Sequence, residues 1–322
     1  MRPVLLLLTA LLFDATAGAA QPTDRPAVLL VLGAPGEPEF GSNFLHQASL
    51  WQQACTDCRC LTVGLESTNG TTDFDRLKSL INAESKEGLD PLWIVLIGHG
   101  TFDGKEARFN LRGPDLTAGD LAQWLQPFRR PLVVINTASA SAPFLKPLAG
   151  TNRVVITATR SGYEQNFAHF GQYFAEALTD PQADLDKDGQ ISVLEAFLTA
   201  SRRVADFYKA DGRLATEHAL LDDNGDGLGT PMDWFKGLRA IKKAQGGASV
   251  DGLLAGQFHL VPSPSERNLT AEQRARRDSL ERAVLLFREK KNQMSPDDYY
   301  RQLEQRLLEL ARFYASIGGL PK

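Results

Sequence analysis

A histidine and a serine, each just after an apolar run, are the residues of this chain best suited to chemistry. His99 follows the run at 92–98, and Ser139 follows the run at 132–135 by a few residues. If both runs are parallel strands, their carboxyl ends place the two side chains at the sheet edge where ligands bind. An imidazole within hydrogen-bond reach can take the proton of a hydroxyl nucleophile. Backbone N–H groups at Gly100 and Ser139 would then hold an oxyanion.

The elements that position these residues alternate between apolar strands and amphipathic helices. That alternation predicts an α/β fold with a mostly parallel sheet covered by helices on both faces. The predicted strands are 27–33, 61–65, 92–98, 132–136 and 154–159, with a short hairpin strand at 108–111. The predicted helices are 42–54, 72–83, 117–125, 167–179 and 192–208. Thr117 with Asp120 has the spacing of a helix N-cap.

The composition changes after Val261 into two charged helices, so we predict a main domain at 21–262 and a helical hairpin at 263–322. Thr270 and Gln273 form a capping-box pattern, and Ser295 precedes a proline at a helix start. The predicted apolar stripes are Leu280, Val284 and Phe287 on the first helix and Leu303, Leu307 and Leu310 on the second. Such stripes pack within the chain or bind a protein partner.

The first twenty residues, 1–20, have the charged start, short apolar run and small-residue cleavage site of a signal peptide. We therefore expect an exported protein, periplasmic or secreted. No later run is long enough to span a membrane, and the net charge of −4 argues against nucleic acid. The three cysteines, Cys55, Cys58 and Cys60, permit a local disulfide, free thiols or part of a zinc site.

The strand-end motifs resemble those of the caspase, legumain and gingipain group of cysteine peptidases. In that group an apolar strand ends in His-Gly, matched by His99-Gly100, and about forty residues later another ends in Ala-Cys. Ala138-Ser139 resembles the second motif, with serine at the position of the nucleophile. The stretch 157–164 resembles the segment that lines the primary specificity pocket. The likeness covers roughly 27–207. It implies a caspase-like three-layer sandwich with a peptide or protein as its substrate or ligand.

Serine in place of cysteine leaves two hypotheses open. A hydroxyl is far less ionised than a thiol and needs a well-aligned base, and the sequence offers only Asp103 and Asp115 as guesses for a third member. The chain is therefore either a serine-type peptidase with a His99/Ser139 dyad or an inactive homologue that binds peptides or proteins. Ser141 is a weaker candidate nucleophile.

Arg160 and Glu164 lie within the stretch that resembles the pocket segment. By the resemblance they would select a charged or amide side chain of the substrate. Charged residues of this kind are otherwise ordinary surface groups. The four remaining histidines, including His218, show no ligand spacing, and the sequence assigns them no role.

The segment 184–195 fits the EF-hand loop, with a glycine at the sixth position and a helix predicted on each side. The predicted Ca²⁺ ligands are Asp184, Asp186, Asp188, Gln190 through its carbonyl, Ser192 and Glu195. A second acidic stretch at 222–233 is a partial loop, because Gly229 and Pro231 interrupt the following helix. Its predicted ligands are Asp222, Asn224, Asp226 and Asp233. In an exported protein, constantly bound Ca²⁺ would stabilise the fold.

Overall fold

The computed structural model describes residues 26–65 and 70–318, so the predicted signal peptide lies outside the described residues. The strands are β1 Ala27–Leu32, β2 Arg59–Val63, β3 Leu92–Ile97, β4 Gly100–Phe102, β5 Ala107–Phe109, β6 Leu116–Thr117, β7 Leu132–Asn136, β8 Arg153–Thr157, β9 Leu220–Asp222, β10 Phe235–Lys236 and β11 Arg239–Ala240. The helices are α1 Pro38–Ala54, α2 Asp73–Ala83, α3 Ala118–Leu125, α4 Leu145–Leu148, α5 Phe170–Ala177, α6 Val193–Ala210, α7 Pro264–Arg267, α8 Ala271–Arg288 and α9 Pro296–Ser316.

The main sheet has the strand order β2-β1-β3-β7-β8-β9. All neighbouring pairs are parallel except β8 with β9. Every residue of β1, β3 and β7 is buried, as their continuous apolar sequences predicted. Helices α1, α5 and α6 cover one face and α2, α3 and α4 the other. The predicted α/β class, with a mostly parallel sheet between helical layers, is confirmed.

Two parts of the sheet architecture differ from the sequence-based prediction. Strand β9 was not predicted, because three residues are too few to show a periodic pattern. The predicted hairpin strand at 108–111 corresponds to β5, but it pairs on both sides and is the middle strand of a small sheet with the order β4-β5-β6. Strand β4 begins one residue after His99 and forms an edge of this small sheet, so the sheet adjoins the predicted site.

The C-terminal helices α8 and α9 form the predicted hairpin. Both caps are present: Thr270 accepts from the Gln273 N–H, and Ser295 accepts from the Asp298 N–H. The predicted stripe of α8 is buried. On α9 Leu307 is 46% exposed, so this residue of the predicted stripe does not pack within the chain, whereas Tyr299 is buried and stacks on Phe287.

Within the described residues, no helix is both long and apolar enough to cross a bilayer. Cys55 and Cys58 form a disulfide at the end of α1. Cys60 is a free, half-buried thiol whose pKa is raised by burial. Of the alternatives for these cysteines, the structure has the local disulfide with one remaining thiol.

Candidate functional site

Ser139 lies just beyond the carboxyl end of β7 and is only 3% exposed. Its hydroxyl donates to the carbonyl of Gly100 at 3.0 Å and accepts from the N–H of Gly100 at 3.1 Å. A side chain at position 100 would be impossible here, because a Cβ would lie 2.2 Å from the Ser139 carbonyl oxygen. Because Gly100 has no side chain, its backbone can approach that of Ser139. Its N–H and carbonyl then both bind the Ser139 hydroxyl.

His99 follows β3 at the same edge of the sheet. Its Nε2 lies 3.2 Å from the carbonyl oxygen of Pro35, and since a carbonyl only accepts, Nε2 carries the proton in this contact. The ring packs against Phe40, Phe44 and Phe167, with centroid distances of 4.6, 5.2 and 6.2 Å. Burial lowers the pKa of His99, so the imidazole is neutral near pH 7.

The sheet brings His99 and Ser139 to the same edge, but each side chain has a different partner. In the described part of the chain, no hydrogen bond joins their polar atoms. The two aspartates considered as a third member serve turns instead. Asp103 accepts from the N–H groups of its own turn, and Asp115 accepts from the Leu111 N–H.

Ser141, the weaker candidate, is 1% exposed and tied to the strand-end loop after β8. Its hydroxyl lies 3.2 Å from the Thr159 hydroxyl and accepts from the Thr159 N–H. Between the two serines, Ala140 has a φ of 52°, a left-handed conformation that is uncommon outside glycine. The turn is therefore fixed by contacts on both sides of a strained residue.

Glu164 and Arg160, the predicted pocket residues, lie side by side next to this turn. The carbonyl of Glu164 accepts from the Ala140 N–H at 2.7 Å, which joins the two segments. The Glu164 carboxylate accepts from the Arg160 N–H at 2.9 Å and lies 2.6 Å from Nδ1 of His218. Arg160 itself is 61% exposed at its side chain. His218 was assigned no role from the sequence, because its contact with Glu164 spans 54 residues.

An exposed tyrosine and strand β4 form the rim of the site. Tyr163 is 75% exposed and meets the Phe102 ring edge to face at 5.2 Å. The Gln165 side chain donates to the Phe102 carbonyl at 3.2 Å, which ties the 160–165 loop to β4. The site thus has a polar, immobilised floor at Gly100 and Ser139 and an aromatic rim.

The first acidic loop gathers carboxylates as the sequence predicted. Ligand atoms of Asp184, Asp186 and Asp188 all lie within 4.8 Å of one another. Positive φ angles of 65° at Lys187 and 86° at Gly189 produce the turn that folds them together. Asp184 Oδ1 is buried and has no hydrogen-bond partner among the described residues. Burial and the neighbouring carboxylates raise the pKa of Asp186 to about 6. These groups fit a hard divalent cation.

The other predicted ligands of this loop make protein contacts. Glu195 accepts from the Leu185 and Asp186 N–H groups with one oxygen and from Ser192 with the other. The Ser192 hydroxyl caps α6 by accepting from the Glu195 N–H. The Gln190 side chain joins Asp188 to the Ser263 N–H. Their assignment as Ca²⁺ ligands stays a prediction.

The second acidic loop is less open to a cation. Asp222 Oδ2 is buried and lacks a partner among the described residues. However, both oxygens of Asp226 accept from backbone N–H groups, and Asn224 Oδ1 accepts from the Asp226 N–H. Asp233 is exposed in a separate 3-10 helix. Within the described residues, the carboxylates of this loop form no three-membered cluster of the kind seen at 184–188.

The chain was also compared with known proteins. No protein-family model and no curated protein matches it. Among solved structures, the initiator caspase Dronc of Drosophila is similar with a TM-score of 0.41 and 13% identity, over 63% of this chain and 81% of that one. A protein of Geobacter sulfurreducens is similar with a TM-score of 0.38 and 12% identity, over 56% and 89% of the two chains. The similarity concerns the fold.

Proposed function

We propose that this protein is a catalytically inactive homologue of the caspase and legumain peptidases that binds a peptide or protein tail. The observation that carries the proposal is the position of the Ser139 hydroxyl between the carbonyl and the N–H of Gly100. That N–H is also the predicted oxyanion donor, and in the structure it donates to the predicted nucleophile. Hydrolysis through a His99/Ser139 dyad would require both side chains to leave their present partners.

Peptide binding is supported by the exposed aromatic side chain of Tyr163, which with Phe102 forms the surface that we call the candidate peptide cleft. The edge of β4 is closed to an added strand, because Ser139 occupies both polar groups of Gly100 and Gln165 occupies the Phe102 carbonyl. Side chains of the cleft would therefore give the affinity and selectivity. Tyr163 offers a large contact area at low cost in conformational entropy. Arg160, with its exposed guanidinium, stays the predicted selector of a charged or amide side chain.

Panning of a displayed random-peptide library against the mature protein tests this binding. Peptides selected on the natural protein should bind the Tyr163→Ala variant about tenfold more weakly, as expected when an aromatic anchor of an interface is truncated. Tyr300→Ala is the matched control, since Tyr300 is also exposed, at 57%, but lies on α9. Equal binding to the natural protein and Tyr163→Ala would place the binding surface elsewhere.

We further propose that the 184–195 loop binds Ca²⁺ and that the protein is exported. Support for the ion comes from the three clustered carboxylates and the unpartnered oxygen of Asp184. Asp184, Asp186 and Asp188 would hold it, and the bound ion would remove their mutual repulsion. The Cys55–Cys58 disulfide suits an oxidising compartment, where Ca²⁺ is also abundant.

Calcium removal should lower the melting temperature of the mature protein. A ligand that binds only the folded state stabilises it by about 2.7 kcal/mol at a hundred times its Kd. Calorimetric scans with Ca²⁺ and with EGTA measure the effect. Asp186→Asn should reduce the difference, whereas Asp211→Asn, in an exposed turn after α6, should leave it unchanged. Identical midpoints in both buffers for the natural protein would refute a structural ion.

A further inference from the structure

A cavity of about 190 Å³ lies between α5, α6 and the segment that leads into β9. Its walls are largely apolar and include Ala158, Phe170, Val204 and Met232. Engineered apolar cavities of roughly 150 Å³ bind benzene, so this volume accepts a ring-sized group. The cavity is separate from His99 and Ser139, neither of which lines it.

Glu217 is the unusual member of the lining. It is only 2% exposed, and its carboxylate accepts from the His169 N–H at 2.9 Å, the Phe170 N–H at 3.0 Å and the Tyr208 hydroxyl at 3.2 Å. Burial raises its pKa to about 7. In the described part of the chain, no lysine or arginine forms an ion pair with it. Buried carboxylates are costly without a cation.

The remaining polar lining also favours a cation. Asp233 is a second carboxylate of the cavity, and His218 is its only nitrogen base within the described residues. Ser201 presents a buried hydroxyl oxygen that has no hydrogen-bond partner among the described residues. An ammonium group has three donors and no acceptor, which suits a cavity lined by carboxylates and an unpaired hydroxyl oxygen.

We infer that this cavity binds a primary amine carried on an apolar body of about the size of a benzene ring. Glu217 supplies the opposite charge, and the apolar walls bury the body of the ligand. The amine is either a free small molecule or a lysine side chain of the peptide bound at the cleft. The second source rests on the proposed function. It is supported by His218, which lines the cavity and contacts Glu164 next to Ala140.

Calorimetric titration with benzylamine and with benzyl alcohol tests the inference, because the two molecules share their shape and differ in charge. The natural protein should bind benzylamine at least about tenfold more tightly. Glu217→Gln should remove that preference, and Ser201→Leu should block both ligands by filling the cavity. Cooperative melting transitions and unchanged circular dichroism spectra show that the variants are folded. Equal binding of both ligands, or benzylamine binding that neither variant weakens, overturns the inference.

Two peptides that differ only by lysine or norleucine at one position distinguish the sources. A lysine preference that Glu217→Gln abolishes identifies a peptide side chain as the ligand. Binding of benzylamine without any lysine preference identifies a free amine. Absence of saturable benzylamine binding overturns the inference itself. Because that titration needs no peptide, its failure would leave the proposed peptide cleft untouched, and failure of the library panning would leave the amine site untouched.

Discussion

At the scale of single residues, the buried hydroxyl of Ser139 has two backbone partners. It satisfies both backbone groups of Gly100 at a point where the chain is buried and close-packed. A buried polar group without a partner costs about 1–3 kcal/mol, so a hydroxyl has a structural use here that does not involve catalysis. His99 is likewise held by an aromatic cluster and the Pro35 carbonyl.

Ser139→Ala should therefore destabilise the protein by roughly 1–3 kcal/mol, because the N–H and carbonyl of Gly100 lose their partner. Urea denaturation measures the change in the free energy of unfolding. Ser42→Ala is the matched control, since Ser42 is exposed on α1, and its effect should stay within about 0.5 kcal/mol. Equal stabilities of Ser139→Ala and the natural protein would show that the two hydrogen bonds have no structural value.

Glu217 should make stability depend on pH. Burial raises its pKa from 4.5 to about 7, so the folded state binds the proton more tightly than the unfolded state does. The stabilisation of the folded state by this proton, roughly 3 kcal/mol, is fully present below pH 4.5 and is lost as the pH rises towards 7. Unfolding free energies measured between pH 5 and 8 should fall less steeply for Glu217→Gln than for the natural protein. Parallel pH profiles would contradict a buried, proton-binding Glu217.

At the scale of elements, the long apolar strands and the capped helices could be predicted from the sequence. Strand β7 has the bounds that the sequence predicted, and the Thr117 cap of α3 forms as a full capping box. Both kinds of element can be recognised locally, because a strand buried on both faces is a continuous apolar run and a capped helix begins with a short polar motif. Strand β9 was missed, since its pairing with β8 depends on tertiary contacts of three residues.

The candidate site was predictable only in part, because some of its contacts join segments that are far apart in the sequence. Placement of His99 and Ser139 at one edge follows from the strand pattern, whereas their hydrogen-bond partners depend on backbone approach at Gly100 and Pro35. The contact between Glu164 and His218 and the burial of Glu217 arise from segments about fifty residues apart. No local pattern signals contacts of that range.

A buried arginine joins the C-terminal hairpin to α7. Arg277 on α8 is 7% exposed and pairs with Glu266 of α7 and with Asp278. Arg277→Met would leave the buried Glu266 carboxylate without its cation, which costs roughly 3–5 kcal/mol when one partner of a buried pair is removed. Hydrogen exchange of the α8 and α9 amides should then become much faster.

The adjacent residue Arg276 provides the control for this experiment. Its pair with Glu309 is exposed on both sides, at 56% and 55% of the side-chain surface. Exposed ion pairs contribute at most about 1 kcal/mol, so Arg276→Met should leave hydrogen exchange in the hairpin nearly unchanged. Similar exchange rates in the two variants would show that the buried pair does not hold the hairpin.

At the scale of the whole molecule, the three proposed sites lie in separate regions around the sheet. The carboxyl edge holds the candidate peptide cleft, the loop before α6 holds the proposed ion, and the cavity beside β9 holds the inferred amine. The Glu164 side chain and carbonyl connect the cavity to the cleft through His218 and Ala140. One α/β fold can in this way carry several binding sites, since function belongs to sites and not to folds.

Mass spectrometry of a diverse peptide library after incubation with calcium-loaded mature protein decides whether the protein retains peptides or cleaves them. Peptides retained by the protein and peptides left free are both sequenced, for the natural protein and for Ser139→Ala below its melting temperature. We predict that a subset of peptides is retained intact and that neither protein generates new termini. New termini produced by the natural protein and absent with Ser139→Ala would refute an inactive binding protein and establish a serine peptidase.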